Sequence, residues 1–198
     1  MRVIAYIDGY NLYHSIDDLK DDSLKWLDLR KLCERFLKDG DELVQVFYFT
    51  ASPTHIQEKL SRHQAYTKAL QKAGVTPIFG KFKKKIAKCK ICKQSYQTHE
   101  EKQSDINIAI NLIKHALTDR FDKAFLITAD TDLVSTIKML KRLAPQKPLI
   151  LLTPPNRHKY ATELIQNATS HREIKKSHLK QALLDECGRP EKYNPKKG

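Results

Sequence analysis

What most constrains this chain is how its apolar runs are punctuated. Short runs rich in aliphatic, β-branched and aromatic residues recur between helical patterns, at residues 3–7, 43–49, 75–79, 123–128 and 147–152. Each is too short for a buried helix and the right length for a buried strand. Between them, residues 26–37 carry apolar side chains at helical spacing. Pro53 opens a long helical pattern that runs to about Lys72 and stops at Gly74. Ser104 is read as the cap of a helix with apolar positions 106, 109, 110, 113, 116 and 117, and residues 133–143 form a further helix. Strand-helix alternation predicts an α/β domain with a mostly parallel sheet and helices on both faces. The run at 147–152 is read as the last strand, closed by Pro154-Pro155.

In such sheets ligands sit at the carboxyl ends of the strands. Asp8 follows the first run, and Asp130 and Asp132 follow the run at 124–128. Asp105 is the first acidic residue of the helix leading into that run and can reach the same rim. Four carboxylates crowded together repel unless cations lie between them. Hard oxygen donors of this kind suit Mg²⁺ or Mn²⁺, ions that support hydrolysis of phosphodiesters. Each aspartate taken alone also has a structural reading as a turn former or helix cap, Asp132 above all. The functional reading rests on several of them falling on one edge.

Charge points the same way. Thirty-six Lys and Arg against 23 Asp and Glu leave a net charge of +13. Such a field attracts polyanions, with nucleic acid first among them. No run of about 18 apolar residues appears, so no membrane-spanning helix is expected. The first acidic residue comes too early for a secretory signal, and a cytoplasmic location is expected. With 6 glycines in all and no Gly-rich phosphate loop, a nucleotide-cofactor enzyme is disfavoured.

Residues 80–100 break the rhythm and read as an inserted hairpin or loop rich in lysine. Cys89 and Cys92 have the spacing of a zinc half-site, with His99 as a third candidate ligand. A closed site needs four ligands, so a zinc shared between two chains, or a bare loop, competes with this reading. Lys84 and its neighbours, interleaved with Phe82 and Tyr96, can grip phosphate and stack bases; a solvated charge run is the competing reading. Arg157, His158 and Lys159 follow the final strand and are placed near the site rim as substrate-holding groups. From residue 156 the chain is read as a basic helical extension with a disordered Pro/Lys/Gly tail.

Three segments carry a family resemblance. Ile7-Asp8-Gly9-Tyr10-Asn11-Leu12 resembles the opening motif of the NYN domain family, a branch of the PIN-like nucleases. Glu100-Glu101-Lys102-Gln103-Ser104-Asp105-Ile106-Asn107 is similar to its central motif, and Thr128-Ala129-Asp130-Thr131-Asp132-Leu133 to its third. The resemblance covers residues 1–155, including the insertion at about 80–100. It implies a Rossmann-like sheet, Mg²⁺ or Mn²⁺ dependence, and RNA rather than DNA as the usual substrate. Carried over by residue, Asp8, Asp105, Asp130 and Asp132 match the metal-binding carboxylates, and Asn11 matches a polar partner that orients them. Thr128 sits where a hydroxyl contacts the site, and Lys102 is a substrate-binding candidate. A catalytically silent RNA-binding module of the same fold, or a small-molecule enzyme using the same metal pocket, are the alternatives. A homo-oligomer is compatible with all three.

Overall fold

The computed structural model describes residues 1–54, 56–88 and 90–185. Cys89, and the tail from residue 186, lie outside the described residues, and with them one half of the expected zinc pair and the expectation of terminal disorder.

The chain opens with β1 (Arg2–Asp8), whose side chains are buried from Val3 onward. It turns at once into α1 (Gly9–Asp17), then through a short 3-10 turn into α2 (Leu29–Glu34). β2 (Glu42–Ala51) follows, then α3 (Gln57–Lys72), which starts four residues after Pro53 and ends before Gly74 as expected. β3 (Val75–Lys88) is far longer than its apolar run, because it continues beyond Gly80 into a hairpin with β4 (Ser95–Lys102). Then come α4 (Ser104–Leu117), β5 (Lys123–Ile127), α5 (Val134–Leu143), β6 (Leu149–Thr153), α6 (Thr162–Asn167), β7 (Ser170–Glu173) and α7 (Lys176–Lys180).

The sheet order is β4-β3-β2-β1-β5-β6-β7, with every pairing parallel except the β3–β4 hairpin. The α/β expectation is therefore met. Strand alternation splits β1 between two cores. Val3, Ala5 and Ile7 pack with α1, α2 and the first residues of β3. Ile4 and Tyr6 pack with α4, α5 and α6 on the opposite face. Chain order runs outward from β1 to β2 and β3, then returns to place β5 on the other side of β1. The order reverses between β1 and β5, and a crevice opens at such a point beyond the carboxyl ends of the strands.

Two expectations are corrected. The run at 147–152 does not form the last strand: β7, inside the segment read as helical, pairs in parallel with β6 from Ile150↔Ser170 to Thr153↔Glu173. Its sequence, Ser-His-Arg-Glu, has no apolar residue to announce a strand, because it lies on the sheet edge. Ser104 is not the cap of α4 but its first residue. Gln103 precedes it at a φ of 80°, and the Ser104 hydroxyl donates to Glu101 instead. Among the described residues, no helix is long and apolar enough to cross a membrane.

Candidate metal centre and adjoining cavity

Asp8 ends β1 and caps α1 in the same step. One of its oxygens, Oδ1, accepts from the Asn11 backbone N–H at 3.0 Å. The other, Oδ2, accepts from the Thr128 hydroxyl at 2.9 Å. Thr128 is fully buried, and its Oγ1 in turn accepts the backbone N–H of Asp130 at 3.0 Å. Asn11 supplies a second tie, its Oδ1 accepting the Ala129 N–H at 3.1 Å. The ends of β1 and β5 are thus bound to each other through side chains, and Asp8 and Asp130 are held on either side of that bond. Gly9 is required by this turn: a Cβ there would lie 2.6 Å from the Phe49 carbonyl oxygen and 2.6 Å from the Tyr48 ring.

Asp105, in the first turn of α4, reaches the same crevice. Single ligand atoms of Asp8, Asp105 and Asp130 all lie within 4.8 Å of one another, the spacing of donors around one cation. Burial pushes the Asp8 carboxyl up to about 7, aided by the charges of Asp105 and Glu101, although the bonds from Asn11 and Thr128 pull the other way. Burial likewise raises Asp105, with further lift from Asp130 and Asp132. Asp8 and Asp105, held above the ordinary carboxylate range by burial and neighbouring charge, are short of positive charge, and with Asp130 they offer three oxygen donors. The residues fit a divalent cation. When bound, such an ion supplies a hard Lewis acid that activates water and neutralises a displaced phosphate oxygen.

The other expected site residues are distributed unevenly. Asp132 is exposed and stands outside the three-carboxylate group; its backbone N–H donates to Asp130 Oδ1 at 3.0 Å. Lys102 pairs with Glu100 at 3.0 Å, on the face of the hairpin away from Glu101. Lys84 is opposite His99 in the hairpin register and shares a face with Phe82, His99 and Glu101. Arg157 forms an ion pair with Asp18, lies 6.0 Å from the Tyr160 ring centroid and lines a shallow groove with Tyr10, Asn11, His14 and Ala129. Cys92 is exposed in the hairpin turn. His99 lies on β4 opposite Lys84, and the zinc expectation turns on Cys89, outside the described residues.

Glu101 is the functional candidate that the residue pattern undersold. It is more than half buried, its carboxyl is raised by burial, and it acts electrostatically on Asp8. Strand alternation gives the missing signal, since 99 and 101 share a face once the segment is read as a hairpin. Glu101 also lines a cavity of about 400 Å³ next to the cluster, with Gly9, Tyr13, Trp26, Tyr48, His63, Tyr66, Phe82 and His99.

Residues 2–175 match the NYN domain family, nearly the whole chain. The chain belongs to the NYN family. The NYN domain is nuclease-like and of the PIN-like group, whose members act on nucleic acids, and the three aspartates at the crevice of this NYN protein offer donors for a divalent ion. The chain is 27% identical over 96% of its length to 6-hydroxy-3-succinoylpyridine 3-monooxygenase HspA of Pseudomonas putida, covering 70% of that protein. It also shares its fold with a Vibrio parahaemolyticus protein of unknown function, at a TM-score of 0.61 and 15% identity, over 92% of this chain and 96% of that one.

Proposed function

We propose that this NYN protein is a divalent-metal-dependent ribonuclease, with Asp8, Asp105 and Asp130 holding Mg²⁺ or Mn²⁺. The observation that carries the reading is the convergence of these three carboxylates within 4.8 Å at the switch point of a sheet in a protein of net charge +13. An acidic pocket in a basic surface divides the work: lysines and arginines hold a phosphate backbone, and the carboxylates hold the cation that the chemistry requires. Asp8 contributes a fixed oxygen, its second oxygen being locked by Thr128. Asn11 keeps the β5 turn in place. Glu101, raised and beside Asp8, is suited to exchange a proton with water or a leaving oxygen. Asp132 adds negative charge at the rim.

The test is cleavage of labelled RNA and DNA strands with Mn²⁺ or Mg²⁺ by wild type, Asp8→Asn and Asp130→Asn. Metal-dependent cleavage of RNA, lost in both variants, is the expected result. RNA binding without cleavage by wild type would sink the reading and favour a silent binding module.

One observation favours a second reading. A relative that aligns with 96% of this chain, over 70% of its own length, is named a 6-hydroxy-3-succinoylpyridine 3-monooxygenase, and an aromatic cavity adjoins the cluster here. Turnover of 6-hydroxy-3-succinoylpyridine in the presence of oxygen and a reductant, followed by the ultraviolet absorbance of the ring, separates the two.

A further inference from the structure

We propose that the cavity beside the carboxylate cluster receives one nucleobase of the substrate strand and so positions the attached phosphate at Asp8, Asp105 and Asp130; this rests on the nuclease reading above. At about 400 Å³ the cavity falls within the about 300–1,000 Å³ typical of small-ligand sites. Its wall starts at Gly9, the residue after Asp8, and includes Glu101, so an occupant is held directly beside the metal ligands.

The lining is that of a stacking site. Tyr13, Tyr48, Tyr66 and Phe82 present ring surface from α1, β2, α3 and the hairpin. Flat π-faces of this kind accept any base, because every base has a face to stack. Polar atoms are set among the rings. His63 Nε2 is bonded to Thr50 Oγ1 at 2.9 Å, while its Nδ1 is buried with no hydrogen-bond partner among the described residues. A buried polar nitrogen without a partner is costly, and a heteroaromatic ligand with edge donors and acceptors can relieve it.

Charge favours a phosphorylated ligand. Lys25, Lys59 and Arg62 line the cavity. Lys25 is committed to Asp17 and Asp22, and Arg62 to Glu58, but Lys59 makes no ion pair among the described residues and is exposed. The strand also has an exit. Tyr10 and His14, with ring centroids 4.2 Å apart, line both this cavity and the groove that leads to Arg157 and Tyr160. A chain with one base in the cavity can cross this ridge, pass the carboxylates and meet a cation and a second ring beyond.

Trp26 is the chain's one tryptophan and lines the cavity, so it reports occupancy without metal or turnover. Titrating chelator-treated protein with nucleoside 5′-monophosphates is expected to give a saturable change in tryptophan fluorescence. Phe82→Ala should weaken it about tenfold, the loss of one stacking contact. Lys59→Gln, a surface change that leaves the fold intact, should weaken it less and make it less sensitive to salt than wild type. With metal, Phe82→Ala should raise KM on short RNA about tenfold with little change in kcat. If wild type cleaves RNA, yet monophosphates give no saturable signal and Phe82→Ala keeps its KM, the base-site proposal is overturned and the nuclease reading stands. If monophosphates bind through Phe82 and Lys59 but no nucleic acid is cut, the base site stands and the nuclease reading falls. If nicotinate, a ring without phosphate, binds as tightly as the monophosphates, the cavity is not built for nucleotides and the proposal fails.

Discussion

Asp8 concentrates the chemistry of the site in one side chain. Its carboxyl stands at about 7 in the folded chain, against an ordinary 3.8. Between those two values the unfolded chain has lost the proton and the folded one keeps it, so the folded state binds more protons. Stability contributed by this group is therefore present below pH 4, falls as the pH rises towards 7, and is flat above that. The whole window is worth up to about 4 kcal/mol at about 1.4 kcal/mol per pH unit. Asp122, held down to about 2 beside Arg2, acts at lower pH. His14, His63, His115, His171 and His178, held below their ordinary value by burial, bind more protons when unfolded and oppose the Asp8 slope inside this window. In thermal melts of chelator-treated protein, the slope due to Asp8 is read as the midpoint of wild type relative to Asp8→Asn, which should fall from pH 4 to 7. The variant's own midpoint should therefore change more positively with pH than wild type's over this window, and Mg²⁺ or Mn²⁺ should raise the midpoint near neutrality in wild type alone; a pH dependence unchanged in Asp8→Asn would place the titration elsewhere. Thr128→Val makes a gentler test. It removes the hydroxyl that fixes Asp8 and accepts from Asp130, at similar volume. Metal affinity should drop about 10–100-fold, the usual effect of losing a partner that orients a ligand, read by Mn²⁺ titration.

The helices and strands show why some of the site was legible in the sequence and some was not. Asp8 and Asp130 could be placed because an apolar run followed by an acidic residue fixes both the strand and its carboxyl end. Asp105 needed more, since only tertiary packing brings the first turn of α4 under those strands. Glu101 was obscured by the lysine-rich composition around it, which hid a strand of period two. β7 was hidden by its edge position, and α4 misled in a related way: Ile106, Ile110 and Leu117, counted towards its apolar pattern, are exposed, while Ile108, Leu112 and Ala116 carry the buried face. The hairpin leaves the main sheet at Gly80, where a Cβ would meet the Lys102 carbonyl oxygen at 2.6 Å. Gly9 plays the same part between β1 and α1. Gly80→Ala should cost about 1–3 kcal/mol of stability, the usual penalty of overpacking a tight contact. It should also displace Glu101, so cleavage should fall by more than the unfolded fraction explains. Urea denaturation paired with activity at a temperature where the variant is folded checks both; activity that tracks only the folded fraction would show the hairpin to be a passive appendage.

For the whole molecule, the net charge of +13 and the cluster of three carboxylates pull on an RNA strand in opposite directions. The long-range field draws phosphates in, while the crevice repels them when no cation fills it. Binding measured in chelator should therefore be dominated by lysines and arginines away from the crevice, and log K should fall linearly with log salt, by about 0.7 per phosphate neutralised on a single strand. Removing one acidic charge should tighten that metal-free binding: Asp130→Asn is expected to bind a non-cleavable RNA analogue more strongly than wild type in chelator. With Mg²⁺ the order should reverse, because the ion converts the cluster from a repulsive to an attractive site and the variant holds it poorly. Arg157→Gln serves as the contrast. It removes a cation shared with Asp18 at the exit groove, and so should weaken binding in both conditions and shorten the salt slope by about 0.7. A crossing of the wild-type and Asp130→Asn affinities between chelator and magnesium means that the phosphate backbone passes over the carboxylates. Parallel behaviour in the two conditions would mean that RNA binds a surface remote from them, and would remove the electrostatic ground on which the nuclease reading stands.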